Sequence, residues 1–162
     1  MSQKSLAQAS HNGDEALPVG QPQSSLPQND LGDTWKRGIG TFVNTLQKHT
    51  APVTAIAISR DGKLIASASY DCTVNLWETS TGSFKTTLQG HTDPVLGVAF
   101  SPDGKFVASA SLDKTCMLWE ISSEKSTMTF TGHSDQVKGV AFSPDGEMIA
   151  SASGDKKLGF GR

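Results

Sequence analysis

Lys48-His49-Thr50, Gly90-His91-Thr92 and Gly132-His133-Ser134 recur at intervals of 42 residues, and this period restricts the fold more than any other feature of the chain. Asp71, Asp113 and Asp155 keep the interval, and so do Ser67, Ser109 and Ser151. All three tryptophans, Trp35, Trp77 and Trp119, obey it too. Gly40 and Phe42 recur as Gly82 and Phe84, and segment 90–115 matches segment 132–157 at 18 of 26 positions. A fixed period of about 20–50 residues means stacked supersecondary units, none of which buries its apolar face alone.

Each unit reads as β structure. Ala55-Ile56-Ala57-Ile58, Gly97-Val98-Ala99-Phe100 and Gly139-Val140-Ala141-Phe142 alternate small with large, the two-residue rhythm of a strand. Ser101-Pro102-Asp103-Gly104 and Ser143-Pro144-Asp145-Gly146 then supply tight turns. Proline presets φ, and glycine accepts positive φ where the chain reverses. In the first unit Arg60 stands in place of the proline, which loosens the turn preference without removing it. Second strands are expected at Leu64–Ser69, Phe106–Ser111 and Met148–Ser153, and third strands at Thr73–Trp77 and Thr115–Trp119. Fourth strands are expected at Phe84–Leu88 and Thr127–Phe130, with nothing of helical length between.

Composition narrows the classes further. A net charge of −2, with 36% hydrophobic and 19% charged residues, suits one modest domain. The near-neutral balance argues against a protein held mainly by nucleic-acid phosphates. No apolar run approaches the ~20 residues of a spanning helix, so no membrane partner is expected. Residues 1–32 hold Pro18, Pro22 and Pro27 among polar residues, with apolar side chains scattered singly. Such a segment cannot offset about 1–2 kcal/mol of backbone entropy per ordered residue and is expected to be a disordered tail. It lacks the apolar core of a secretory signal, so the chain is expected in the cytoplasm or nucleus.

The 42-residue unit, with Gly-His near its start, an aspartate 22 residues after the histidine and Leu-Trp-Glu around a tryptophan six residues later, resembles the WD-repeat (WD40) family. The resemblance covers about residues 35–162. It implies an all-β fold of antiparallel four-stranded blades forming an incomplete, open β-propeller over 33–162. The outer strand of a preceding unit is expected at 35–47, full repeats at 48–89 and 90–131, and a truncated repeat at 132–162. In the last, Lys156 to Arg162 stand where a third strand and its tryptophan are due. Propellers close with about 4–8 blades, so the edges of such a segment are expected to be sticky.

The resemblance also assigns roles. One hydrogen-bonded set per unit is implied: His49, Ser67, Asp71 and Trp77; His91, Ser109, Asp113 and Trp119; and His133, Ser151 and Asp155, with Gly161 in the tryptophan position. A buried imidazole, carboxylate or indole N–H without a partner costs about 1–3 kcal/mol, so linking them pins one loop to one turn. Family geometry further implies one face of the disc formed by Pro52, Thr54 and Tyr70, by Pro94, Leu96 and Leu112, and by Gln136, Lys138 and Gly154. Tyr70 and Leu112 are the exposed apolar candidates there.

Competing chemistry is weaker. Ser, His and Asp suggest a hydrolase triad, but an enzyme needs one triad at one cleft, whereas these recur in every unit. Single histidines a unit apart do not gather into a metal site, and calcium-loop spacing and a Gly-rich phosphate loop are lacking. Cys72 and Cys116 are 44 residues apart, out of register, and are expected to be inert thiols. No catalytic residue, metal or cofactor is expected. The expected role is a noncatalytic scaffold for protein or peptide partners. The alternatives are self-association through open edges and a segment of a larger regulatory or sensor protein.

Overall fold

The structure, a computed structural model, describes residues 44–162. The expected tail over 1–32 and residues 33–43 lie outside the described residues. Eleven strands and no helix occur among the described residues. Strands β1 (Val53–Ile58), β2 (Leu64–Ser69), β3 (Thr73–Glu78) and β4 (Phe84–Gln89) form one antiparallel sheet in chain order. Strands β5 (Val95–Phe100), β6 (Phe106–Ser111), β7 (Cys116–Glu120) and β8 (Lys125–Phe130) form a second. Strands β9 (Val137–Phe142), β10 (Ile149–Ser153) and β11 (Leu158–Gly161) form a third.

The truncated repeat departs from expectation, because its third strand does form. Ile149 faces Gly161 across the ladder, in the register that sets Ile65 against Trp77 and Val107 against Trp119. Backbone pairing with β10 needs no indole, and Leu158 and Phe160 alternating with Gly159 and Gly161 keep a strand rhythm. The other terminus differs as well. Asn44–Gln47, the described part of the expected outer strand, carries no strand and has no partner strand among the described residues. Its Asn44 and Leu46 side chains instead crowd Gly82, where an added Cβ would lie 2.5 Å from Asn44 Nδ2.

Turn chemistry repeats even where residues change. The Gly62, Gly104 and Gly146 amides donate to the Ser59, Ser101 and Ser143 carbonyls at 2.8, 2.9 and 2.9 Å. Each glycine has φ between 72° and 78°. In each turn the serine hydroxyl also donates to the aspartate two residues on, and accepts an amide from the start of the next strand. The turn forms with Arg60 as well, and the Ser59–Asp61 side-chain bond at 2.7 Å is the one the two proline turns also make.

The core lies between sheets. Ala66, Ala68, Val74, Leu76 and Leu88 of the first sheet bury against Val95, Val107 and Trp119 of the second. Ala110 and Cys116 of the second meet Val137 of the third. The first strands converge most closely: a Cβ on Gly97 would sit 3.1 Å from the Gly139 Cα and 3.1 Å from the Lys138 carbonyl. Small residues at 55, 97 and 139 admit that approach. A bulge interrupts each first strand at one position, leaving Thr54, Leu96 and Lys138 opposite no partner in the ladder. Bulges bend a strand and re-aim one side chain.

Two stability outcomes follow. Arg60→Pro raises the urea midpoint, with a gain of about 0.4–1 kcal/mol from a stiffer unfolded chain, because Pro102 and Pro144 occupy equivalent turns. Leu76→Ala lowers stability by about 2–5 kcal/mol, since Leu76 is fully buried between two sheets. Equal midpoints for either variant and the wild-type chain contradict this packing.

Candidate functional site

In the first repeat His49 precedes β1, Ser67 lies within β2, Asp71 in the β2–β3 turn and Trp77 on β3. His49 Nδ1 stands 2.8 Å from Asp71 Oδ2, and its Nε2 2.8 Å from Ser67 Oγ. Trp77 Nε1–H donates to the same Ser67 Oγ at 2.9 Å. The second repeat copies this: His91 to Asp113 at 2.6 Å, His91 to Ser109 at 2.7 Å, and Trp119 to Ser109 at 2.8 Å. In the third, His133 reaches Asp155 and Ser151 at 2.9 Å each, with no indole to complete the set.

Proton direction follows by elimination. An indole N–H only donates, so serine accepts there, and to a neutral imidazole it donates its own proton at Nε2. A carboxylate only accepts, so Nδ1 carries the imidazole proton. The result is a one-way chain from tryptophan to serine to histidine to aspartate, with both ring nitrogens engaged. In the first two repeats the serine lone pairs face an indole donor rather than a cleft. The arrangement repeats along the fold without converging on one site.

The aspartates gather further donors. Burial raises the Asp71 carboxyl, but the Thr73 hydroxyl, the Thr50 amide and His49 outweigh it and bring the pKa down to about 2. Asp113 is lowered in the same way, burial opposing and Thr115 and His91 prevailing. Asp155 also falls well below the usual carboxylate range, with burial again opposed by His133 and the Ser134 and Lys157 amides. Burial pushes the Cys116 thiol up to about 11, and Cys72 is also raised, first by burial and then by Asp93, Asp71 and Asp113. Neither thiol is disulfide-bonded. Among the described residues no cluster of three or more His, Cys, Asp or Glu is placed to hold a metal ion.

Sequence reasoning missed two supporting residue types. Thr73 and Thr115 donate to Asp71 and Asp113 at 2.6 and 2.7 Å. Ser69, Ser111 and Ser153 donate to the carbonyls of Ala51, Asp93 and Asp135 at 3.0, 2.9 and 3.0 Å, tying the end of each second strand to the loop before the first. All of them recur at the 42-residue spacing except at Lys157, so the period itself carried the signal.

The proposed face is also built repeat by repeat. The Tyr70, Leu112 and Gly154 amides donate to the Pro52, Pro94 and Gln136 carbonyls at 3.0, 2.9 and 2.9 Å, which holds the two loops of each unit side by side. Tyr70 is 50% exposed and Pro52 and Lys138 are exposed. Leu112 differs from its expected exposure and is half-buried, as are Pro94, Leu96 and Gln136. Thr54 is half-buried as well, and its hydroxyl is already committed to the Val95 carbonyl at 2.6 Å, a link between the first and second sheets.

Removing the shared hydroxyl tests the polar sets. Ser109→Ala costs about 1–3 kcal/mol in urea unfolding, because Trp119 N–H is then buried without an acceptor. Ser151→Ala costs less, having no indole to orphan. The depressed carboxyls also fix a pH dependence. Each ionises more readily folded than unfolded, so its stabilisation is full above the unfolded value near pH 4. It is lost as pH falls through the folded value, about 2 for Asp71. The thermal midpoint therefore declines over that window, and Asp71→Asn reduces the decline; a midpoint level from neutrality to pH 2 is incompatible with these bonds.

The WD domain, G-beta repeat family (WD40) matches residues 40–78, 82–120 and 124–159, three consecutive units spaced by the same 42 residues. No curated protein matches the chain. Three antiparallel meanders, their repeated His–Ser–Asp sets and these matches agree, and the chain belongs to the WD40-repeat family.

Proposed function

We propose that this chain is a noncatalytic module that presents the Pro52–Tyr70, Pro94–Leu112 and Gln136–Gly154 loop pairs to protein or peptide partners. WD40 repeats generally serve as protein-interaction modules, and their domains are typically noncatalytic. The observation that carries the reading is the pairing of these loops: one backbone bond joins equivalent positions in every unit, while the side chains there vary. Constant backbone with variable side chains lets specificity change without touching the core. Tyr70 supports it further, as a half-exposed aromatic beside exposed Pro52, the residue type that anchors interfaces. The polar sets support a structural rather than a catalytic role, since in the first two repeats the serine, histidine, aspartate and tryptophan are engaged with one another.

Self-association is the second reading. Val53, Ile56 and Ile58 of β1 are exposed, Ile56 to 68%, whereas their counterparts Val95, Val98 and Phe100 are buried or half-buried against the first sheet. Light scattering separates the two readings, because a monomer that binds a partner needs no second copy.

Tyr70→Ala is expected to weaken capture of a partner by about tenfold or more while leaving the thermal midpoint unchanged. Leu112→Ala is expected to weaken it less, in keeping with its half-buried side chain. Quantitative pull-down with both variants, in which every partner is retained at wild-type levels, would dismiss this face.

A further inference from the structure

Gly161 holds the ladder position that Trp77 and Trp119 hold in the other repeats, yet the remainder of the set is still assembled around the absent ring. On Ser67 and Ser109 one acceptor position takes an indole N–H; Ser151 has no indole, and its side-chain neighbours are His133 and the Cys116 thiol. The space beneath is also kept. Trp119 requires Gly90, where a Cβ would come within 2.9 Å of the indole Cη2. At the equivalent Gly132 nothing lies within 4 Å of that position. Beside Gly161 is a pocket of about 260 Å³, open to solvent on one side and lined by Cys116, Phe130, Gly132, His133, Ile149 and Ser151 among others. Its volume exceeds the about 150 Å³ of a cavity that holds benzene, so a bicyclic ring is not too large for it.

We propose that this cavity is a binding site for an indole ring, which donates its N–H to Ser151 and lies against Ile149, Phe130 and the Gly132 backbone. Phe130 is its movable wall. The Phe130 ring lies 3.0 Å from where a Cβ on Gly161 would stand, so a ring seated in the pocket requires Phe130 to turn aside. The ring has two sources, a free indole ligand or a tryptophan of a second copy. Trp35 is the candidate for the latter: it lies three periods before Gly161, and its own unit has Ala7 and Asn29 where the histidine and aspartate would be. The site is separate from the Tyr70 face, and either can fail without the other.

Titrating the full chain with free indole is expected to give saturable amide shifts at Gly132, Ser151 and Gly161 in nitrogen–proton spectra. Indene, of the same shape but without an N–H, is expected to bind about three- to tenfold more weakly. Ser151→Ala brings indole to the level of indene. Trp35→Ala separates the sources. If a second copy supplies the ring, the wild-type chain associates with rising concentration and takes indole only in competition, while Trp35→Ala stays monomeric and takes it directly. If the ligand is free, both chains bind it alike. Indole and indene binding equally well to a responsive chain overturns the proposal, as does the lack of saturable shifts in both the wild-type and Trp35→Ala chains. Tyr70→Ala leaves all of these readouts unchanged.

Discussion

One serine hydroxyl in the middle of each second strand organises its repeat. Ser67 and Ser109 each accept an indole N–H from the third strand and meet a histidine from the loop before the first, so three segments of chain share one oxygen atom. A hydroxyl suits this place because it both accepts and donates, with a proton that rotates to whichever neighbour needs it. The histidine then extends the chain to the turn aspartate, which collects backbone and threonine donors at a point where the strand reverses. Burial alone would drive these aspartates toward neutrality; the accumulated hydrogen bonds reverse that and keep them charged.

The polar sets and the apolar core act on different distances. Within a sheet, the Trp–Ser–His–Asp chain fixes the loop against the turn. Between sheets, Leu76, Val95, Val107 and Trp119 supply apolar contact, and the small residues at 97 and 139 let first strands meet backbone to backbone. Trp119 serves in both, its ring in the apolar cluster and its N–H on Ser109. The third repeat separates these roles: β11 forms without a tryptophan, so strand pairing does not depend on the indole, and Phe130 crowds the place its side chain would leave from.

Variation is confined to places where it costs little. Arg60 replaces a turn proline without loss of the turn, because the serine and aspartate side-chain bonds that close all three turns do not involve that position. Thr54, Leu96 and Lys138 differ completely in chemistry yet occupy one bulge position, where no ladder partner constrains them. Thr54 shows that such a position is not automatically available to a partner, since its hydroxyl bridges to the next sheet.

Most of the strand plan was legible before any coordinates, because alternation and the Ser-Pro-Asp-Gly turns act within a few residues and recur in register. The His, Ser, Asp and Trp positions were legible for the same reason, with their roles supplied by family resemblance. Thr73 and Ser69 were overlooked although they share the period, since hydroxyl residues in a turn look like ordinary solvated loop. The sequence by itself determined the 42-residue unit, its strands and which polar groups belong together. Only the tertiary structure decided that β11 pairs without its tryptophan, that Leu112 is half-buried and that Thr54 is engaged by the next sheet. Those outcomes depend on packing between units and on hydrogen bonds far apart in the chain, which local pattern does not encode.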